Sequence, residues 1–208
     1  MRDLRRLRSA VAVLGVSYFA LWACAPIAAN PPPAPMAEGR QHELGLTPSA
    51  TLTSSTAAAA FGEQCTSGFS LEVGCGGPSL AAHWRFSAKR FDLTSQVFAG
   101  TSNFLGANVR VGARVVQTQK VFVAPTIQAG WLAGGVSVYT GVALSPQTWL
   151  VLTPTAQTSA HSLLRGSAGL WHTTPGGAVV GFEVGGGTGG AVSPWAIDAA
   201  FTVGAQLR

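Results

Sequence analysis

Trp195-Ala196-Ile197-Asp198-Ala199-Ala200-Phe201-Thr202-Val203-Gly204-Ala205-Gln206-Leu207 decides the fold class. Trp195, Ile197, Ala199, Phe201, Val203, Ala205 and Leu207 share one parity. Asp198, Thr202, Gly204 and Gln206 share the other, with two alanines. A period of two places these sets on opposite faces of a β-strand. The same alternation recurs upstream. Leu105, Ala107, Val109, Val111, Ala113 and Val115 oppose Gly106, Asn108, Arg110, Gly112 and Arg114; Val180, Phe182 and Val184 oppose Gly181, Glu183 and Gly185; Leu164, Ala168 and Leu170 oppose Arg165, Ser167 and Gly169.

Eight runs of this kind are read, at about 91–101, 104–117, 120–133, 136–145, 147–158, 162–173, 178–187 and 194–207, separated by Gly, Pro, Ser and Thr. An earlier hairpin near 69–88 raises the count to ten. Tilted strands of about nine to eleven residues suffice to cross a bilayer, and barrels of this class use an even number. No long stretch keeps a helical period. The expected fold is all-β: an antiparallel up-and-down barrel of about eight strands, or ten, preceded by a disordered tether.

A soluble sheet also alternates, so the faces must be compared. The apolar faces are almost free of charge, while the polar faces mix Arg, Glu, Asp, Gln and Gly. Charged residues form 10% of the chain, against about 25% in soluble domains. Arg110, Arg114, Glu183 and Asp198 are assigned to the lumen as an ion-paired plug. Trp131, Trp149, Trp171 and Trp195, near strand ends, are assigned to an aromatic girdle at the headgroup level. Pro125 and Pro154 fall inside expected strands, where each lacks a ladder N–H. Ala124-Pro125-Thr126-Ile127-Gln128 has a counterpart 29 residues on, Thr153-Pro154-Thr155-Ala156-Gln157, about one hairpin away.

Segments such as Val109-Arg110-Val111-Gly112-Ala113-Arg114, Pro125 followed by Gln128-Ala129-Gly130, and the final strand give 91–208 its resemblance to small outer-membrane barrels of the OmpA/OmpX type. The resemblance implies residence in the outer membrane, with membrane lipid, the barrel assembly machinery and the envelope export machinery as partners, and a structural, adhesion or minor pore role.

The N-terminus agrees with export. Lys and Arg number 13 against 8 Asp and Glu, but Arg2, Arg5, Arg6 and Arg8 precede an apolar stretch from Ser9 to Ala23. Residues 1–23 read as a signal peptide, so the excess charge is no nucleic-acid footprint. Leu21-Trp22-Ala23-Cys24 resembles a bacterial lipobox, with Cys24 as the acylated residue; cleavage after Ile27-Ala28-Ala29 is the alternative. Residues 24–62, rich in Pro, Ala, Ser and Thr, read as a tether. Residues 63–90 read as a loop closed by a Cys65–Cys75 disulfide in an oxidising compartment, with the possible first hairpin.

Candidate chemistry is sparse. Gly185, Gly187 and Gly190 match G-x-G-x-x-G, but no helix follows, and a hairpin loop is expected there. His161-Ser162 and His172-Thr173 are neighbours on strands, so each pair points to opposite faces. No catalytic residue, metal site, cofactor or small-molecule substrate is expected. The rival architectures are a soluble lipid-tethered β-sandwich binding module and, more remotely, a lipid-modifying barrel hydrolase.

Overall fold

A computed structural model describes residues 31–53, 78–100, 106–130, 134–158, 162–189 and 193–208. Its strands are β1 His42–Thr53, β2 Pro78–Ser87, β3 Phe91–Gly100, β4 Gly106–Ala113, β5 Val116–Gln117, β6 Val121–Gly130, β7 Gly134–Ser145, β8 Thr148–Thr158, β9 Ser162–Thr173, β10 Ala178–Gly189 and β11 Ser193–Leu207. Each pairs antiparallel with its neighbours; β1 pairs β11, and β4 pairs β6, which closes the ring. The result is a closed barrel of ten strands, with the two-residue β5 as an eleventh beside β6. It is neither a sandwich nor an eight-stranded barrel of the OmpX size.

The two strands beyond the eight come from the N-terminal region. β2 falls within the stretch read as a possible first hairpin. β1 falls inside 24–62, where a tether is expected. The physical reason is parity: Leu44, Leu46, Ala50 and Leu52 alternate with Glu43, Gly45, Thr47, Ser49 and Thr51, so this polar-looking segment has one apolar face. Cys24, Cys65, Cys75, Trp131 and His161 lie outside the described residues.

Proline positions explain how the ladder tolerates them. Pro48, Pro125 and Pro154 all point outward. The β1–β11 pairing steps from Leu46↔Val203 to Ser49↔Ala200, skipping Pro48. The β7–β8 pairing steps from Ser137↔Thr155 to Thr140↔Leu152, skipping Pro154. Pro125 sits where β6 changes partner from β4 to β5. A residue without an N–H thus costs no ladder bond.

The polarity of the barrel is the reverse of a soluble protein's. Ile127, Leu164 and Ile197 on the outside are 66%, 65% and 56% exposed, while Arg85, Arg110 and Asp92 inside are 2%, 1% and 1% exposed. Among the described residues no strand carries Asp, Glu, Lys or Arg on its outer face. Among the described residues the charges outside the lumen are Glu38, Arg40, Lys89, Arg90, Lys120 and Arg208. All lie at the end bearing Arg208, the entry into β1 and the short turns β2–β3, β5–β6, β7–β8 and β9–β10, here termed the turn end.

Candidate functional site

The lumen is built by alternate residues of all ten barrel strands. Its charges form two clusters. In the first, Asp92 on β3 stands opposite Gly112 on β4. Arg110 and Arg114 flank that glycine on the same face, so one carboxylate reaches both guanidiniums, at 3.7 Å each. Arg85 on β2 donates from Nε to Asp92 Oδ2 at 2.8 Å. Arg85 also pairs with Glu43 on β1 at 3.4 Å, and Glu43 accepts from Gln206 Nε2 at 3.2 Å and meets His83 Nε2 at 3.4 Å. Arg110 donates to Tyr139 Oη and Thr94 Oγ1, both at 2.8 Å. Three buried guanidiniums therefore face two carboxylates.

In the second cluster, Arg165 on β9 donates to Asp198 Oδ1 on β11 and to Glu183 Oε1 on β10, each at 2.9 Å, and also meets Asp198 Oδ2. Its guanidinium lies over Gly185, where a β-carbon would collide with it. Here one guanidinium faces two carboxylates. The glycine tract expected as a loop supplies this bare strand surface: Gly185 to Gly189 belong to β10.

Arg110, Arg114, Glu183 and Asp198 are thus all buried, but the structure divides them between the two clusters. Arg110 is paired with Asp92, and Glu183 with Arg165. Glu43, His83, Arg85, Asp92 and Arg165 complete the clusters and stand outside the set chosen from sequence. Arg165 was legible by parity on β9. Asp92 carried the same signal inside the run 91–101. Glu43 and Arg85 lay in segments whose alternation was overshadowed by tether-like or loop-like composition.

The tryptophan assignment needs correction. Trp149 and Trp171 are 8% and 5% exposed and point into the lumen. Each has the parity of its strand's inner face, which overrides the preference of indole for an interface. They pack with Phe122, Ala124, Tyr139, Val151 and Val179 as an apolar wall. Phe122 and Trp149 meet edge-on, with ring centroids 5.3 Å apart. Phe122 lies over Gly141 and Trp171 over Gly181, so small residues on neighbouring strands make room for large ones. Trp195 does face outward, as does Trp84.

Between the arginine cluster and the aromatic wall runs the segment Pro31–Ala34, buried at every residue. It lies in the lumen, where a tether was expected. Proline has a carbonyl but no N–H, so this stretch offers mainly acceptors, and the wall offers guanidinium donors. Arg110 Nη2 donates to Pro31 O, Arg114 Nη1 to Pro33 O at 3.2 Å, and Arg85 Nη2 to Ala34 O. Ala34 also joins the apolar wall. The segment leaves at the turn end, where Ala37 N donates to Gln206 Oε1 at 2.9 Å. Arg40 clips the exit to Gln206 O and, at 2.8 Å, to Gly176 O. The turn into β1 uses Gly39 at φ 73°, in the left-handed region that glycine enters without penalty. A cavity of about 660 Å³ opens there between Pro35, Arg40, Gln147, Trp149 and Pro175.

The two similar pentapeptides also meet in the lumen. Gln128 and Gln157 flank Gly135 on β7, and Gln128 Nε2 donates to Gln157 Oε1 at 3.4 Å across it. One rung over, Ser137 and Thr155 share a hydroxyl contact at 2.9 Å. His172 lies on the outer face and bonds Thr148 Oγ1 through Nδ1 at 3.0 Å.

The fold and site define a class: a closed ten-stranded antiparallel barrel with a charged, partly filled lumen and, among the described residues, outer strand faces free of charge. Neither a family model nor a curated protein sequence matches the chain. Similar solved structures include the KdgM porin, at TM-score 0.48 and 10% identity over 79% of this chain and 98% of that one. The same porin in complex with disordered oligogalacturonate gives TM-score 0.46 and 11% identity over 79% and 98%. The outer membrane protein Omp33 of Acinetobacter baumannii gives TM-score 0.34 and 9% identity over 81% and 98%. At such values the likeness carries no weight for function, which rests here on the placement of charge.

Proposed function

We propose that this chain is a non-enzymatic barrel spanning the bacterial outer membrane, acting as a narrow pore or structural element. One observation carries the proposal: among the described residues, the seven Arg, Asp and Glu side chains of the strands and that of Arg114 point inward, while the outer strand faces are rich in exposed Leu, Ile, Val, Phe and Trp. In water such a surface far exceeds the apolar patch a monomer tolerates. In hydrocarbon it costs nothing, and ring closure leaves no unpaired sheet edge. The six charges at the turn end, five of them basic, would lie at headgroup level, where cations meet lipid phosphates. The leader-like residues 1–23 support an envelope destination.

The test is solubility and folding of the purified chain lacking its leader and any acyl group. The expected outcome is a requirement for detergent or lipid, with a folded band that migrates differently on gels before and after boiling. A monodisperse, folded protein in plain buffer would sink the proposal in favour of a water-soluble module.

A further inference from the structure

We propose that the lumen contains a binding site for an extended proline-rich peptide, occupied in cis by residues 31–34, so that the N-terminal segment is a tethered plug of the pore. The proposal rests on the barrel reading for its effect on transport, but the binding site stands on contacts alone. Three features converge on it. The occupant is three prolines followed by Ala34, stiff and nearly without donors, and loses little entropy on docking. One wall of the site is three arginines whose remaining N–H groups each take a carbonyl from Pro31, Pro33 or Ala34. The opposite wall is aromatic, with Phe122, Tyr139, Trp149 and Trp171, the surface on which proline rings pack in other peptide grooves.

Ten strands also explain the need for an occupant. Eight strands enclose an interior that side chains can fill, and diameter grows with strand number. The extra width here is taken up by backbone. The surplus guanidinium of the first cluster is matched by carbonyl dipoles where no third carboxylate is present. The segment is held at its exit by Arg40 and by Gln206, and Glu38 and Gly39 beyond it are exposed. A tether of this length keeps the plug at millimolar effective concentration, so modest affinity suffices.

The experiment inserts a protease recognition sequence between Glu38 and Gly39 of the full chain, which folds with its plug in place and is then cut. In planar bilayers, the uncut protein is expected to conduct weakly. Cutting is expected to raise conductance several-fold, and a synthetic peptide of residues 31–37 to restore the block. The same peptide with each proline changed to alanine is expected to block less, because it is more flexible. A second readout needs no bilayer: in detergent, tryptophan emission should shift on cutting and return on peptide addition, since Trp149 and Trp171 line the site. Unchanged emission in both steps overturns the binding site. Shifted emission with equal conductance before and after cutting overturns the plug while leaving the peptide site. A chain that rejects detergent and bilayer alike refutes the membrane reading, and emission in buffer then still decides the peptide site.

Discussion

Asp92 shows how much one side chain carries in this lumen. It is the carboxylate shared by Arg85, Arg110 and Arg114, all 3% exposed or less. Removing one partner from a buried ionic group leaves uncompensated charge and costs about 3–5 kcal/mol. Asp92→Asn is therefore expected to lower the unfolding free energy of the refolded barrel by an amount of that order, read as a lower midpoint in denaturant titration of the gel-shifted band. Glu38→Gln at the exposed turn should leave it unchanged. Glycine is the complementary case. A methyl at Gly141 would overlap the Phe122 ring, and overpacking of this kind costs about 1–3 kcal/mol. Gly141→Ala should destabilise by that amount, and adding Phe122→Leu should recover part of it; an additive double mutant would show that the two positions do not share one space. These dependencies were not legible in the sequence. Parity put Arg110, Arg114, Glu183 and Asp198 on inner faces, but which acid meets which base depends on how neighbouring strands are aligned, and Asp92 reaches its three partners only through the β2–β3 and β3–β4 registers.

At the scale of the strand, the outer face is apolar and, among the described residues, free of charge. Phe182 on β10 lies between Leu170 and Phe201 on its neighbours, and all three are exposed. A cation on the lipid face near mid-depth costs about 2–4 kcal/mol. Phe182→Arg is expected to reduce folding into lipid vesicles by that amount, while Thr202→Ser in the lumen should be tolerated; equal effects of the two would contradict a lipid-facing β10. Strand boundaries from 91 onward were legible because alternation there is bounded by turn residues. β1 was harder to see, because its inner face is Glu, Gly, Thr and Ser and its outer face includes Pro48. A strand with one polar face resembles a linker in composition and differs from it only in periodicity. The same applies to Pro31–Ala34: a proline run reads as a spacer because it cannot pair in a sheet, yet its carbonyls accept from three guanidiniums in the lumen.

The whole molecule combines an apolar outside, a basic rim at the turn end and a lumen divided between ionic and aromatic walls. Among the described residues its arginine and carboxylate charges cancel: four guanidiniums face four carboxylates across the two clusters. Such balance permits a narrow polar interior, in which the arginine-rich cluster is matched by the carbonyls of the backbone segment threaded through it. The sequence by itself determined the alternation, and hence the strands, their inner and outer faces and the all-β class, because a period of two is a local property of the chain. Only the tertiary structure decided that ten strands close instead of eight, that the inner charges divide into two clusters and that the proline segment enters the barrel. Each of these follows from alignment between strands distant in the chain, and no local pattern encodes that alignment.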